Sequence, residues 1–173
     1  MIGWKRMNII EGDNKYSVND AVEEYAAMLY RLAMTRMKQK EDAEEVVQDT
    51  FLKLVQHTQK GKVFRDKEHL KAWLLTVAIN RGKSILTLIW NTKTEGMDNL
   101  PEAAAKEDNP GAYEYVMRLS EKYRIVIDLF YYEGLSTQEI SKVMKMKLAT
   151  VRSYLLRGRE KLKEMMEKDR YVG

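Results

Sequence analysis

Both prolines of the chain, Pro101 and Pro110, fall in one stretch from Thr94 to Gly111. Proline removes a backbone donor and clashes with the preceding turn, so it sets where long helices stop. The same stretch holds Gly96, Gly111, Asn99, Asn109 and the acids Glu95, Asp98, Glu102, Glu107 and Asp108. Breakers and acids without apolar periodicity read as a flexible acidic linker. On either side no segment alternates with a period of two, so the expected class is all-α. The 173 residues then divide into a first domain at 16–92, a linker at 93–112 and a second domain at 113–168.

Helical spacing places three helices in the first domain. Ser17 and Asp20 cap one that carries Val22, Tyr25, Ala26, Leu29, Leu32, Ala33 and Met37 inward. A second opens on Glu41 and Asp42, placed for the positive end of the helix dipole. It turns Ala43, Val46, Val47, Thr50, Phe51, Leu54 and Val55 inward and leaves Glu44, Glu45, Gln48, Asp49 and Lys53 outward. After Lys60-Gly61-Lys62, Asp66 caps a third helix with Leu70, Trp73, Leu74, Val77, Ala78 and Ile85 on one side. In the second domain Ser120 caps a helix through Tyr123, Val126, Ile127 and Phe130, ended by Gly134 as a left-handed C-cap with Leu135 closing the motif.

The segment after Leu135 carries a more specific pattern. Ser136 and Glu139 stand in the S-x-x-E relation of a capping box, opening a helix through Ile140 and Val143. That helix stops near Lys145-Met146-Lys147, and a second starts with Leu148, Val151, Leu155 and Leu162 inward. Between Lys142 and Lys163 stand eight basic residues and the single acid Glu160, so the segment carries +7 and the rest of the chain −3 of the net +4. Two short-linked helices, the second basic outside, predict a helix-turn-helix whose second helix enters a DNA major groove.

Composition narrows the classes. With 45% hydrophobic and 32% charged residues the chain can bury a core. The absence of cysteine removes disulfides, thiolate catalysis and cysteine-based zinc sites. The longest apolar run, Ile85 to Trp90, is far short of the ~20 residues that span a bilayer. The start, Met1 to Arg6, meets Glu11 and Asp13 too soon for a signal core, so the expected location is cytoplasmic.

Two blocks resemble one family. "YRLAMTRMKQKEDAEEVVQDTFLKL" (30–54) with "HLKAWLLTVAIN" (69–80) is similar to the second region of extracytoplasmic-function sigma factors, in the sigma-70 family. "LSEKYRIVIDLFYYEGLSTQEISKVMKMKLATVRSYLLRGREKL" (119–162) resembles their fourth region. The resemblance implies a transcription initiation factor, not an enzyme, that needs no cofactor, metal or small-molecule substrate. Its implied partners are core RNA polymerase, promoter DNA and an anti-sigma protein, often membrane-bound in this family. It places polymerase docking at Glu45, Gln48, Asp49 and Lys53, and opening of the −10 element at Arg65, Asn80 and Lys83 beside the loop 56–68. Reading of the −35 element falls to Lys147, Thr150, Arg152, Ser153, Leu156 and Arg157, with Arg159, Lys161 and Lys163 on phosphate or on the polymerase flap.

Some positions depart from the family. Lys145 and Ala149 stand where glycine is usual, which predicts a remodelled turn. Ser84 and Thr87 replace an aspartate and an arginine, and the third helix ends in Leu88 to Lys93 instead of a run of arginines. Its apolar end, Ile85 to Trp90, is free to meet a regulatory partner or the second domain. Two other classes compete: a regulator using the same helix-turn-helix without polymerase, and an enzyme holding Mg²⁺ on Glu41, Asp42, Glu44, Glu45 and Asp49. His57 and His69 lack ligand spacing and read as surface or loop residues, Trp73 as core, and Met28, Met34, Met37, Met144, Met146, Met165 and Met166 as fillers.

Overall fold

The structure, a computed structural model, describes residues 8–13, 15–37, 39–92 and 111–172. Seven helices and no strand occur among them. Most of the expected linker, 93–110, lies outside the described residues. The chain forms two compact units, Met1–Leu88 and Ile89–Gly173.

The first unit is built on α1 (Val18–Met37), α2 (Lys40–Gln59) and α3 (Lys67–Thr92). Two of the three starts carry the caps that the sequence predicts. Ser17 donates to Asp20 Oδ2 from both its backbone N (2.7 Å) and its Oγ (2.5 Å). At α3 the His69 amide donates to Asp66 Oδ1 at 2.7 Å. Such caps satisfy amides that no earlier carbonyl can reach. Leu29, Leu54, Leu70, Leu74, Leu75 and Ile79 are fully buried and form the centre of the core. The inner face of α3 is turned from the expected one: Trp73 and Val77 are half-buried, and Leu75 and Ile79 lie deeper. Apolar residues surround most of this helix, so periodicity leaves its rotation open.

The core also takes in residues before the expected boundary at 16. Ile9 is 0% and Ile10 5% exposed. Ile9 O accepts from Phe64 N (2.8 Å) and Glu11 N donates to Phe64 O (2.7 Å), so a short extended segment pairs with the loop between α2 and α3. Gly12, at φ +77°, lets the chain double back there. Tyr16 O–H then donates to Glu24 Oε2 (2.6 Å), which also accepts from Lys67 Nζ (2.8 Å). One carboxylate thereby ties the N-terminal segment, α1 and α3 together.

The second unit comprises α4 (Ala112–Arg118), α5 (Glu121–Tyr131), α6 (Thr137–Met144) and α7 (Leu148–Tyr171). No sequence expectation covers α4; it starts at the linker's end and buries Tyr115 and Val116. Ser120 is the N-cap of α5, but its side chain makes no capping hydrogen bond, contrary to expectation. Every residue from Tyr123 to Leu129 is buried, so α5 is the central helix of the unit. Its end follows the expected motif: Gly134 sits at φ +70°, Leu135 N donates to Leu129 O at 3.0 Å, and Leu135 is 7% exposed. α7 packs on α5 at Gly158, where an added Cβ would lie 3.0 Å from Ile127 Cγ1. Glycine here lets two helices approach more closely than any side chain allows.

The capping box is present in full, with Glu139 N donating to Ser136 Oγ (3.2 Å) and Ser136 N to Glu139 Oε2 (2.7 Å). The turn after α6 is not remodelled. Lys145 adopts the left-handed conformation, φ 53° and ψ 46°, that a glycine would take. Ser141 Oγ donates to Met146 O (2.6 Å) and Met146 N to Ser141 O (3.0 Å), holding the turn closed around that strain. A left-handed non-glycine residue costs about 1–2 kcal/mol. Lys145→Gly should therefore stabilise the second unit by about 0.5–1 kcal/mol, part of the relief being offset by the entropy of an unfolded glycine. Chemical denaturation of the two proteins checks this, and an unchanged or lower midpoint contradicts it.

Candidate nucleic-acid and protein interfaces

α7 buries Val151 (0% exposed), Leu155 (3%) and Gly158, and these positions fix which side faces away. On the outer side Arg152, Ser153, Leu156 and Arg157 are all exposed, with Leu156 at 58%. Residues 152 and 156 lie one turn apart, as do 153 and 157, so the four make two adjacent stripes. Lys147, the N-cap of α7, is exposed, and Thr150 is half-buried. An exposed leucine flanked by two arginines on one helix face suits apolar contact with a thymine methyl beside hydrogen bonding to bases.

Not all of the positive charge on α7 is free to meet a partner. Arg157 hydrogen-bonds the Tyr123 hydroxyl on α5, and Tyr154 packs edge-on against the Tyr123 ring with centroids 5.6 Å apart. Burial pushes the Tyr123 hydroxyl up, but hydrogen bonds from Arg157 and Lys122 outweigh it and bring the group below its ordinary value. Arg159 donates from Nε to Tyr131 Oη at 2.7 Å and lies over the Phe130 and Tyr131 rings. A guanidinium stacked on aromatics and hydrogen-bonded is largely occupied by its own domain. Lys163 is 3.9 Å from Glu167, while Lys161 is exposed.

On the first unit, α2 exposes Glu45, Gln48, Leu52 and Lys53. Leu52, 55% exposed, lies on the same side as Gln48, and the charge pattern of the sequence does not single it out. Asp49 differs from the expectation. Its side chain is only 32% exposed, because Arg81 of α3 donates from Nε to Asp49 Oδ2 and from Nη2 to Glu45 Oε1, both at 2.5 Å. Lys40 stands 3.6 Å from Glu44 on the same helix. The acidic side of α2 is thus partly neutralised by cations of its own unit, and Glu44, Glu45 and Asp49, three of the carboxylates considered for Mg²⁺, are engaged with them.

The three residues expected at the −10 element are not joined by any hydrogen bond or ion pair among the described residues. Arg65 is exposed and donates from Nε to Asp66 Oδ2 at 3.0 Å, while Asn80 is half-buried and Lys83 exposed on α3. Ser84 and Thr87 turn their hydroxyls back onto their own helix, to Asn80 O (3.2 Å) and Lys83 O (2.9 Å). Of the apolar end of α3, Ile85 is buried and Leu88 is 60% exposed; the side chains of 89–92 lie outside the described residues.

Sequence spacing keeps His57 and His69 apart; the fold brings both onto Phe64. His57 stacks on its ring at 4.9 Å, His69 meets it edge-on at 5.5 Å, and Trp73 lies 5.3 Å from Phe64 and 5.0 Å from His57. Arg65 N donates to His69 Nδ1 at 3.2 Å, so His69 is the outer brace of the loop. Burial, then the charges of Lys62, His69 and Lys60, hold the His57 imidazole below its ordinary value of 6.5. The unfolded chain therefore takes up this proton first, so stability present above that value is lost as pH falls through and below it. The melting temperature of the first unit should drop between about pH 7.5 and 5.5, and His57→Phe should flatten that dependence; an equally steep profile in the variant would refute it.

Comparison with known proteins fits this layout. Sigma-70 region 2 matches residues 21–87 and Sigma-70, region 4 matches residues 112–162. The ECF RNA polymerase sigma factor SigE of Mycolicibacterium smegmatis is 29% identical over 170 residues, covering 88% of this chain and 62% of that protein's length. SigL of Mycobacterium tuberculosis, another ECF RNA polymerase sigma factor, is 31% identical over 146 residues, 77% of this chain and 79% of its own. Among solved structures, the sigma factor RpoE bound to the anti-sigma factor NepR, from Bartonella quintana, shares the fold at a TM-score of 0.67 and 22% identity. That likeness covers 86% of this chain and 96% of RpoE. CnrH, solved with the cytosolic domain of CnrY, has a TM-score of 0.60 at 19% identity, over 91% of this chain and 92% of CnrH. Matched in both regions, in order, over the two units that the fold separates, the chain belongs to the extracytoplasmic-function sigma factors of the sigma-70 family.

Proposed function

We propose that this protein is a transcription initiation factor that binds core RNA polymerase and directs it to promoters, and is itself no enzyme. The first unit docks on polymerase through Glu45, Gln48, Asp49 and Lys53 of α2, with Leu52 as an apolar centre, and opens the −10 element with Arg65, Asn80 and Lys83. The second unit reads the −35 element as duplex. Support for the division comes from the contrast between the two faces. α2 exposes a mixed, mildly acidic surface suited to a protein, whereas α7 exposes arginines suited to phosphate and base edges. RpoE and CnrH were solved with NepR and with the cytosolic domain of CnrY, so an anti-sigma protein is a fitting partner here too, and exposed Leu88 offers it an apolar contact.

The observation that carries the −35 assignment is the outer face of α7, fixed by the inward Val151, Leu155 and Gly158. Arg152 forms no ion pair among the described residues and can pair bidentately with a guanine, worth roughly 1–3 kcal/mol of discrimination. Arg152→Ala should relax preference at one or two −35 positions in a duplex-binding assay over a randomised element. Lys161→Ala should weaken all sequences alike and flatten the salt dependence. Equal loss on promoter and random duplex in Arg152→Ala would reduce Arg152 to a phosphate clamp.

A further inference from the structure

Arg81 joins two residues of α2 to α3 across 36 and 32 positions of sequence, to Glu45 and Asp49 respectively. Its side chain is only 24% exposed, against 32% for Asp49 and 52% for Glu45. Arg81 is thus the least exposed of the three, and its guanidinium bridges the two carboxylates. Each carboxylate gives it one oxygen. The second oxygen of each, Oε2 of Glu45 and Oδ1 of Asp49, makes no hydrogen bond among the described residues. We infer that Arg81 is a positioning residue for the polymerase-docking face, fixing Glu45 and Asp49 so that their remaining oxygens are presented together to a basic partner surface.

The physical case rests on what an exposed carboxylate does when nothing holds it. Glu and Asp side chains on a helix sample several rotamers, and docking must then select one at an entropic cost. A guanidinium forked between two carboxylates removes that freedom beforehand, because its donors are planar and fixed relative to one another. The triad keeps one net negative charge, so attraction for a basic surface persists while the two acids no longer repel each other. Lysine could not replace it: a point charge on a flexible stem cannot set the directions of two carboxylates.

This inference rests on the reading that α2 docks polymerase, and the experiment separates the two. Affinity of the full chain for core RNA polymerase is measured for the wild type, Arg81→Gln, Arg81→Lys, the pair Glu45→Gln with Asp49→Asn, that pair combined with Arg81→Gln, and Gln48→Lys. Melting of each protein is recorded alongside. Arg81→Gln should weaken binding from a few-fold to about tenfold. Arg81→Lys should recover only part of that. In the Glu45→Gln, Asp49→Asn background the Arg81→Gln change should cost nothing further, since the effect passes through the carboxylates. Should Arg81→Gln not stay folded at the assay temperature, Arg81→Lys with and without the paired amides carries the same comparison. Unchanged or tighter binding in Arg81→Gln, or an equal loss in the amide background, overturns the inference. If Gln48→Lys also binds as the wild type does, the docking reading fails with it; if Gln48→Lys weakens binding, the inference alone fails.

Discussion

Phe64 is held on three sides, and the geometry of the first unit depends on that. The residue is 1% exposed and its ring touches His57, His69 and Trp73, while its backbone N–H and C=O are both taken by the segment around Ile9 and Glu11. The residues between α2 and α3 have no helical ladder of their own, and buried backbone groups without partners are costly. The short pairing with residues 9–11 supplies those partners at the point where the chain must turn to start α3. Asp66 then caps α3 two residues later, so the entry angle of the helix bearing Arg81, Asn80 and Lys83 is set by a segment far earlier in sequence.

In the second unit the comparable constraint is the approach of α7 to α5. Gly158 lets the Ile127 side chain touch the α7 backbone, and with Val151 and Leu155 it defines the inward stripe. Everything opposite that stripe faces outward as a consequence, whatever its own preference. That is how Leu156, an apolar residue, comes to be 58% exposed. On the proposed reading, that exposed leucine is the apolar contact offered to a thymine methyl. The strained Lys145 has a related origin: the capping box at one end of α6 and the Ser141–Met146 bonds at the other fix the angle between α6 and α7 firmly enough to impose a conformation that lysine resists.

Much of this is legible in the sequence because it is local. Helical periodicity, the Ser17/Asp20 and Asp66 caps, the Ser136/Glu139 box and the Gly134 turn depend on residues within one or two turns of each other, and each is present. What escapes depends on distant partners. Ile9 and Ile10 have no periodicity to announce them; only the loop they pair with makes them core. Arg81 sits on a helix whose apolar residues surround most of its circumference, so nothing marks it as facing α2. His57 and His69 have no spacing that signals a shared neighbour, since the neighbour is Phe64. Tertiary contact, not propensity, decides these cases.

The charge of the recognition segment shows how far counting can mislead. Sequence assigns it +7, and counterion release scales with the number of phosphates neutralised rather than with formal charge. Arg157 is engaged by Tyr123 and Arg159 by Tyr131 and Phe130, and Lys163 lies near Glu167. Lys147, Arg152 and Lys161 have no such ties among the described residues. The aromatic contacts have a second effect: they order long side chains that would otherwise lose freedom on binding. Arg157, braced by a tyrosine of α5, is therefore suited to directional hydrogen bonding, whereas a loose lysine suits diffuse attraction to phosphate. On the proposed reading, the charge that this helix can offer to DNA is set by which of its residues the neighbouring helix already holds still.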